Sequence, residues 1–457
     1  MSEIAKEPQY YNILKVRDDH LPTAFAESEP GRFRFREETE ISWLSGDEFG
    51  LKELRGRIEP WLTSLFQSEH LSLIAGSGLT HAVHYMAAGK PAAGMGIVTL
   101  SCHEAAINKA ADETAKNAGR SQGNFEDQLR SATELLRGLE ILENSSATTL
   151  REDLKKILTQ FSASILACES DIASADESKC ELAFNTLVTF LMSFASRTGT
   201  RDRLSIFTTN YDRLIEAGAE LAGLHLLDRF VGSLMPIFRS SRLDLDMHYN
   251  PPGIRGEPRY LEGVARFTKL HGSVDWIHAG NDIRRIGLPF GADEVDAYLG
   301  TPGLRDVDAN RLMIYPNSAK DRETSDYPYV ELFRDLAAAV CRPNSTLVTY
   351  GYSFGDEHIN RVIRDMLTIP STHLVVMSYD DPLGRIMKSY QEFGRPSQIS
   401  LLIGPVLSDI RTLTENFLPK AAIDRTTFRM SELLKQRFGT SMSDKKAVEH
   451  ASDGDAA

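Results

Sequence analysis

The sequence predicts an α/β fold in which a doubly wound, mostly parallel sheet carries an all-helical insertion. Two patterns lead to this prediction. Short segments rich in Val, Ile, Leu, Thr and Tyr recur after residue 204, and most of them are followed by a helix-like segment. Residues 103–197, by contrast, place apolar side chains at three- and four-residue spacing, which is typical of helices.

The elements can be assigned in chain order. Residues 1 to about 60 look irregular, except for a short strand at 32–36 and a helix around 46–62. The first clear strand covers His70–Ala75, and helices follow throughout the insertion. Later strands are expected at 204–210, 266–272, 311–317, 345–353 and 373–379, and amphipathic helices at 327–340 and 356–367. Beyond residue 420 we expect a last helix at 424–438 and then a disordered tail.

These elements divide the chain of 457 residues into four parts, and its length is sufficient for two or three folded units. We assign an N-terminal extension (1–65), an α/β domain (66–102 and 198–420), the helical insertion (103–197), and a C-terminal helix with a disordered tail (421–457). The insertion would therefore leave the α/β domain after its first strand and return to it before the next one.

Composition and charge restrict the classes of function. A formal net charge of −13 argues against sequence-independent attraction to nucleic acid, so direct nucleic-acid binding is not expected. No segment approaches the ~18 consecutive apolar residues of a membrane helix, and the first residues lack the features of a secretory signal. The four cysteines lie far apart without a CxxC pair, so we expect a cytoplasmic protein with no zinc ribbon and no bound metal.

A glycine turn follows the first strand. The segment LSLIAGSGLT, residues 71–80, runs from apolar residues into Gly76-Ser77-Gly78 and then Leu79-Thr80. In a doubly wound sheet such a turn lets a diphosphate approach backbone N–H groups at the start of a helix. The third glycine of the usual dinucleotide fingerprint is missing, and no GxxxxGK[ST] segment of an ATP-binding loop is present. A structural turn that allows close packing of strand and helix is the alternative.

Three further segments place polar residues at predicted strand ends. FTTNYD (207–212) supplies an amide and a carboxylate, KLHGSVDW (269–276) a histidine before a glycine, and YGYSFGDEHIN (350–360) a glycine-aromatic turn before a helix. Strand ends are the usual position for ligand contacts in this architecture, and histidine suits proton transfer near neutral pH. Helix capping or a structural turn would also explain each segment taken alone.

The four segments follow one order along the chain: glycine loop, Asn-x-Asp, Leu-His-Gly and Gly-x-Ser. This order resembles the sirtuin family. TTNYD, KLHG and GYSFGDEHIN look like the corresponding segments of divergent bacterial sirtuin-like proteins that hydrolyse NAD as anti-phage effectors. The resemblance spans residues from about 70 to 405. It implies a Rossmann-like, NAD-binding α/β domain for which NAD is the substrate.

The resemblance also implies roles for individual residues. Asn210 corresponds to the asparagine that contacts the nicotinamide ribose and its attacking water, Asp212 to the aspartate that holds the carboxamide, and His271 to the ribose-contacting base. The glycine loop would admit the diphosphate, and the segment around Ser353 would hold the adenosine portion. The positions expected to bind NAD are Gly76, Ser77, Gly78, Thr80, Thr209, Tyr211, Gly351, Ser353, Phe354, Asp356 and His358.

The sequence departs from protein-deacetylating sirtuins in three respects. It lacks the two CxxC pairs of their zinc ribbon and their phenylalanine-arginine cofactor loop, and its interval between Asn210 and His271 is longer and includes PPGIRGEP (251–258). We therefore expect an NAD nucleosidase that releases nicotinamide and ADP-ribose. An NAD-dependent protein deacylase and a non-catalytic scaffold that binds NAD or ADP-ribose are the alternatives.

The resemblance has implications for partners as well. Because unregulated NAD hydrolysis would kill the host, such an enzyme is expected to be silent until it is triggered. No separate sensor domain is visible in the sequence, which points to the two-protein systems in which a sirtuin-like subunit assembles with a HerA-type hexameric DNA-translocating ATPase. A ring-like homo-oligomer is expected on the same grounds.

Overall fold

The computed structural model describes residues 12–36, 43–44, 46–92, 98–117, 122–123, 125–197, 201–240, 248–249, 259–279, 282–293 and 327–420. The strand expected at 311–317, the PPGIRGEP segment and the helix and tail expected after residue 420 lie outside the described residues. None of the helices in these ranges combines the length and the apolar character that a membrane crossing requires.

The N-terminal part adds antiparallel strands to one side of the main sheet. Its elements are β1 (Asn12–Lys15), β2 (Thr23–Glu29), β3 (Arg32–Phe35), β4 (Glu48–Phe49) and α1 (Leu51–Phe66). The short strand at 32–36 and the helix are confirmed, but the irregular structure expected around them is wrong. Strands β1, β2 and β4 were missed because they are short or mix polar with apolar residues, so they lack a long apolar run. Phe25 packs against Phe33 and Phe49 instead, with ring centroids 5.6 and 5.3 Å away.

Helices follow the first central strand, as predicted for the insertion. After β5 (His70–Ala75) and α2 (Ser77–Ala88) come α3 (Glu104–Asn117), α4 (Phe125–Ile141), α5 (Ser146–Ala173) and α6 (Glu177–Ala195). Helices α3, α4 and the first half of α5 share a small core that includes Ile107, Leu129 and Leu150. The end of α5 and α6 pack on the main sheet instead, through residues such as Ile172 and Phe190. The boundary of the insertion at 197 stays a prediction.

The chain then returns to the sheet and builds a small sheet beside it. Strand β6 (Ser205–Thr208), α7 (Leu214–Ala222) and β7 (His225–Leu227) precede the short strands β8 (Phe230–Val231), β9 (Ile237–Phe238), β10 (His248–Tyr249) and β11 (Arg259–Tyr260). Then follow β12 (Val264–Lys269), β13 (Trp276–Ala279) and β14 (Asp282–Arg285). Strands β13, β14, β9 and β8 form the small sheet in that order, and its Phe230, Phe238 and Trp276 pack into the core under the main sheet.

The last described part alternates helices and strands, as the sequence predicted for 327–379. Its elements are α8 (Tyr329–Val340), β15 (Ser345–Tyr350), α9 (Glu357–Met366), β16 (His373–Ser378), α10 (Arg385–Phe393), β17 (Ile399–Ile403), α11 (Pro405–Ser408) and α12 (Ile410–Asn416). Strand β17 was not predicted as a strand, although all five of its residues are buried.

The main sheet has the strand order β4-β3-β2-β1-β17-β16-β15-β5-β6-β12-β7. In this order, the seven strands from β17 to β7 are parallel to one another. Strand β1 pairs with β17 in the antiparallel direction, and β1, β2, β3 and β4 are each antiparallel to the next. Both faces are covered, because Leu71 and Leu73 of β5 belong to one core and Ile74 to the other. The α/β fold with a doubly wound, mostly parallel sheet is confirmed, and its topological switch point lies between β5 and β15.

Candidate active site

Four neighbouring strands end at the same level of the sheet, and the turns of the four sequence motifs follow directly after them. In the register of the sheet, Tyr350 pairs with Ala75, Ala75 with Thr208, and Thr208 with Lys269. Each of these residues is the last of its strand. The parallel register therefore brings the four following turns to the carboxyl edge of the sheet, which is the position that ligands occupy in this architecture.

The glycine turn is in direct backbone contact with the turn after β15. The N–H of Gly76 donates to the carbonyl of Tyr350 at 2.9 Å, and the N–H of Gly78 donates to that of Gly351 at 3.0 Å. A Cβ on Gly78 would lie only 2.6 Å from the Cα of Gly351, which itself has a φ of +60°. Close packing of two turns thus accounts for these glycines, and their approach to a diphosphate stays a prediction.

Asn210 lies in a hydrogen-bond network behind the glycine turn. Its Nδ2 donates to the carbonyl of Gly76 at 3.0 Å and to the hydroxyl of Thr80 at 2.9 Å. That hydroxyl donates to Oδ2 of Asp212 at 2.7 Å, and Oδ1 of Asp212 accepts the N–H of Leu214 at 3.1 Å. The Asn210 amide is held in one orientation with 9% of the residue exposed, so its Oδ1 is the atom that can accept a hydrogen bond from a ligand or water.

His271 forms a buried pair with Asp356. Its Nε2 lies 2.8 Å from Oδ2 of Asp356, and each residue is 5% exposed. Asp356 is also the N-cap of α9, where its Oδ1 accepts the N–H of His358 at 3.1 Å. The positive end of a helix favours an ionised carboxylate, and such an acceptor fixes the proton of the imidazole on Nε2. The acceptor role therefore falls to Nδ1 of His271.

Tyr211 joins the two networks. Its carbonyl accepts the N–H of Val274 at 3.0 Å, which holds the turn after β6 against the turn after β12. Its ring centroid lies 6.2 Å from that of His271 and 5.5 Å from that of Phe161 on α5. The long insertion helix is thus in aromatic contact with the residue beside the histidine.

The turn after β15 contains an unusual backbone conformation. Phe354 has a φ of +54°, in the left-handed region that bulky residues rarely adopt. The amide of Asn360 donates to the Phe354 carbonyl at 2.9 Å and holds this turn in place. The Phe354 ring is buried against Tyr352 at 4.9 Å, whereas the neighbouring Ser353 is exposed. Of these two predicted NAD contacts, only Ser353 is presented to solvent.

The remaining predicted residues differ in exposure. Ser77 is exposed at the first position of α2, and Thr209 is half-buried. His358 is half-buried on the first turn of α9, with its ring 6.0 Å from Phe333. All the predicted site residues therefore lie on or beside one edge of the sheet, but Asp356 is engaged with His271 instead of facing solvent.

One residue of the KLHG segment that was not predicted as part of the site also lies beside it. Lys269 opens KLHG, and its Nζ contacts the carbonyl oxygen of Asp212 and lies 3.0 Å from Oε1 of Glu216. Burial raises the pKa of Glu216 to about 7, although the Lys269 charge lowers it. A lysine at the last position of a buried strand was a signal that some partner is needed, because buried lysines require one, but it did not identify Glu216 as that partner.

In the described part of the chain, no cluster of three or more His, Cys, Asp or Glu side chains is arranged to hold a metal ion. Cys168 is a buried free thiol whose pKa is raised to about 12 by burial and by nearby carboxylates such as Asp212. It is therefore a core thiol and not an activated nucleophile.

Comparison with protein-family models matches residues 204–394 to the SIR2-like domain. The match runs from β6 to the end of α10, so it includes the turns with Asn210, His271 and Asp356 but not the glycine turn. A comparison with curated proteins finds no match. A SIR2-like domain implies NAD binding, and the mostly parallel sheet is consistent with one. The match therefore supports a sirtuin-like family for this protein and suggests an NAD-related activity.

Proposed function

We propose that this protein hydrolyses the N-glycosidic bond of NAD and releases nicotinamide and ADP-ribose. The observation that carries the proposal is the register of β6 and β12. Thr208 pairs with Lys269, and Asn210 and His271 each lie two positions beyond that pair, at the same edge. An amide oxygen and an imidazole in neighbouring turns can serve hydrolysis at an anomeric carbon, because one orients water and the other accepts its proton.

The reaction makes modest demands on the protein. Water attacks C1′ of the nicotinamide ribose, the bond from C1′ to the ring nitrogen breaks, and its electron pair neutralises the pyridinium charge of nicotinamide. The sugar passes through an oxocarbenium-like state. Oδ1 of Asn210 would orient the water and Nδ1 of His271 would accept its proton. Asp356, 2.8 Å from Nε2, would stabilise the resulting imidazolium.

Other residues would bind the rest of the substrate. The Asp212 carboxylate already accepts two hydrogen bonds, but its two oxygens retain acceptor capacity for the amide of the nicotinamide carboxamide. The exposed Ser77 and the half-buried Thr80 would contact the diphosphate, and Ser353 and His358 the adenosine portion. These assignments are supported by the position of each side chain at the carboxyl edge.

Access to the proposed site is restricted in this structure. Asn210 is 9% exposed and His271 is 5% exposed, so the turns must separate before a ribose reaches both. Low exposure of this kind fits an enzyme that is silent until it is activated. We propose that activation occurs in a homo-oligomeric ring with a HerA-type ATPase, in cytoplasmic anti-phage defence by NAD depletion. The likeness of the TTNYD, KLHG and GYSFGDEHIN segments to such effectors supports this proposal.

Incubation with NAD tests the proposal. The purified protein, alone and with the product of the neighbouring gene, is mixed with NAD, and nicotinamide and ADP-ribose are separated by chromatography. We expect turnover by the activated protein and a loss of about 100-fold or more in Asn210→Ala and in His271→Ala. His373→Gln, at the opposite edge of the sheet, is the matched control and should retain turnover.

Four results would contradict parts of the proposal. Full turnover in both site variants would remove the catalytic assignment. Formation of O-acetyl-ADP-ribose only in the presence of an acetylated peptide would indicate a deacylase, and tight NAD binding without turnover in the full assembly would indicate a scaffold. A strict monomer by native mass measurement, with and without the ATPase, would contradict the proposed assembly.

A further inference from the structure

A buried lysine lies two residues before His271, next to the proposed site. Lys269 is the last residue of β12 and is 3% exposed. Its Nζ contacts the backbone carbonyl of Asp212 and lies 3.0 Å from Oε1 of Glu216 on α7. Burying two charges costs free energy that their attraction only partly restores, so a buried pair is weak evidence for a role in stability. This pair therefore calls for another explanation.

Lys269 connects the two turns that carry the proposed chemistry. Its own carbonyl accepts the N–H of Gly272 at 3.4 Å, so it begins the turn that contains His271. Its side chain reaches the main chain of Asp212, whose carboxylate accepts the hydroxyl of Thr80. The Lys269 side chain thus links the turn that contains Asn210 to the strand end that precedes His271.

The Glu216 end of this pair has incomplete hydrogen bonding. Among the described residues, Oε2 of Glu216 and Oδ1 of Asp275 are buried without a partner. Asp228 is paired with Arg285 at 2.6 Å. The charged groups around the Glu216 carboxyl, including those that line the small cavity beside it, are Lys269, Asp275, Arg213, Asp228, Arg229 and Arg285. The pKa of Glu216 is raised to about 7 by burial and further by the Asp275 charge, against the opposing effect of Lys269.

We propose that Lys269 and Glu216 form a positioning pair for the cleavage of NAD, and that protonation of Glu216 loosens the alignment of the two turns. The inference rests on the function proposed above. When Glu216 is ionised, a charge-assisted hydrogen bond holds the Lys269 ammonium in place. When Glu216 takes up a proton, that attraction weakens and the Asp212 carbonyl is held less firmly. Displacement of catalytic groups by about 1 Å lowers rates by about 100-fold.

The pH dependence of NAD cleavage by the activated assembly tests this inference. Glu216→Gln retains an oxygen that accepts from Lys269 but cannot ionise, so it should behave as the wild type does below pH 7. As the pH rises through 7, we expect kcat of the wild type to increase, and the increase should be about tenfold larger than that of Glu216→Gln. The KM of each protein should change less than about twofold over the same range. Glu220→Gln is the matched control, because Glu220 is exposed on the same helix. Parallel profiles for the wild type and Glu216→Gln would overturn the inference.

A double-mutant cycle tests whether the two residues act together. We expect Lys269→Met to lower kcat by about tenfold or more, and by clearly less when Glu216→Gln is already present. An equal loss in both backgrounds would overturn the pairing.

Thermal unfolding offers a readout that does not depend on catalysis. Because the pKa of Glu216 is raised in the folded protein, wild-type stability relative to Glu216→Gln should fall as pH rises from about 4.5 to 7.

The outcomes separate this inference from the proposed function. If Asn210→Ala abolishes turnover but the Glu216→Gln and Lys269→Met variants match the wild type in rate and pH profile, only the positioning role fails. If the wild-type assembly shows no cleavage of NAD, both proposals fail. In that case a difference in pH-dependent unfolding between the wild type and Glu216→Gln would still locate the titration at Glu216.

Discussion

Two histidines occupy opposite edges of the same sheet in different electrostatic surroundings. His271 follows β12 at the carboxyl edge, and its Nε2 lies 2.8 Å from the Asp356 carboxylate. His373 begins β16 at the amino edge, and its Nε2 lies 2.9 Å from the hydroxyl of Ser400. A carboxylate can stabilise an imidazolium ion, whereas a hydroxyl offers much less. The neighbours of an imidazole, and not its burial alone, therefore decide whether it can accept a proton during a reaction.

The surroundings of His373 keep it neutral. Burial lowers its pKa to about 4, and the positive charge of Lys15 acts in the same direction. Lys15 is itself buried, and its Nζ donates to the carbonyls of Pro396 and Ile399 at 2.6 and 3.1 Å. The ring of Trp61 packs edge-on against His373 at 5.6 Å. The amino edge thus holds a structural histidine, and the carboxyl edge holds the one that we propose to be catalytic.

Replacing the partner of His271 should have the largest effect. Asp356→Asn is expected to lower kcat for NAD cleavage by about 100-fold, because an amide cannot stabilise the imidazolium and can itself donate to Nε2. Steady-state rates across the pH range check this, and KM should change less than kcat. Asp365→Asn, an exposed position on the same helix, is the matched control. Equal kcat for the wild type and Asp356→Asn would remove the distinction between the two histidines.

The next test concerns how the carboxyl edge is held together. Gly78→Ala places a Cβ 2.6 Å from the Cα of Gly351, and we expect it to lower the free energy of unfolding by about 1–3 kcal/mol. Denaturant titration measures this change. Gly138→Ala on α4 meets no atom within 4 Å and should raise stability by about 0.5–1 kcal/mol, as expected inside a helix. An unchanged midpoint for Gly78→Ala would show that the two turns can separate at little cost.

The smallest effect on activity is expected at the amino edge. His373→Gln should change NAD cleavage by less than about twofold, since Gln cannot titrate but can still hydrogen bond to Ser400. Because the folded pKa of about 4 lies below the ordinary value, wild-type stability should fall as pH is lowered through this range. Thermal unfolding between pH 4 and 7 should show a shallower decline for His373→Gln. Identical slopes would mean that His373 takes up its proton equally well in the folded chain.

The candidate site could be predicted in part because its residues stand at strand ends. Asn210, His271 and Ser353 each follow a buried apolar run, and ligand contacts in this architecture lie at such strand ends. Their order along the chain then indicated the family that the domain match supports. The same approach missed β1, β2 and β4, since they are short or mix polar with apolar residues and carry no long apolar run.

The second half of the site could not be predicted from the sequence. Lys269 and Glu216 meet across a strand and a helix that are 53 residues apart in sequence, and neither stands in a pattern that names the other. The glycines were predicted to admit a diphosphate, but the structure shows that Gly78 must also accommodate Gly351. Contacts of this kind depend on which strands become neighbours, and local patterns carry no information on strand order.

By itself, the sequence determined the alternation of strands and helices, the helical insertion and the polar residues at each strand end. These features follow from local rules, because apolar spacing reports secondary structure and strands buried on both faces are mainly apolar. Only the tertiary structure decided that Asp356 faces His271 across 85 positions, and that four strands end at the same level of the sheet. Those contacts arise from strand order and register, which are set by the packing of the whole sheet.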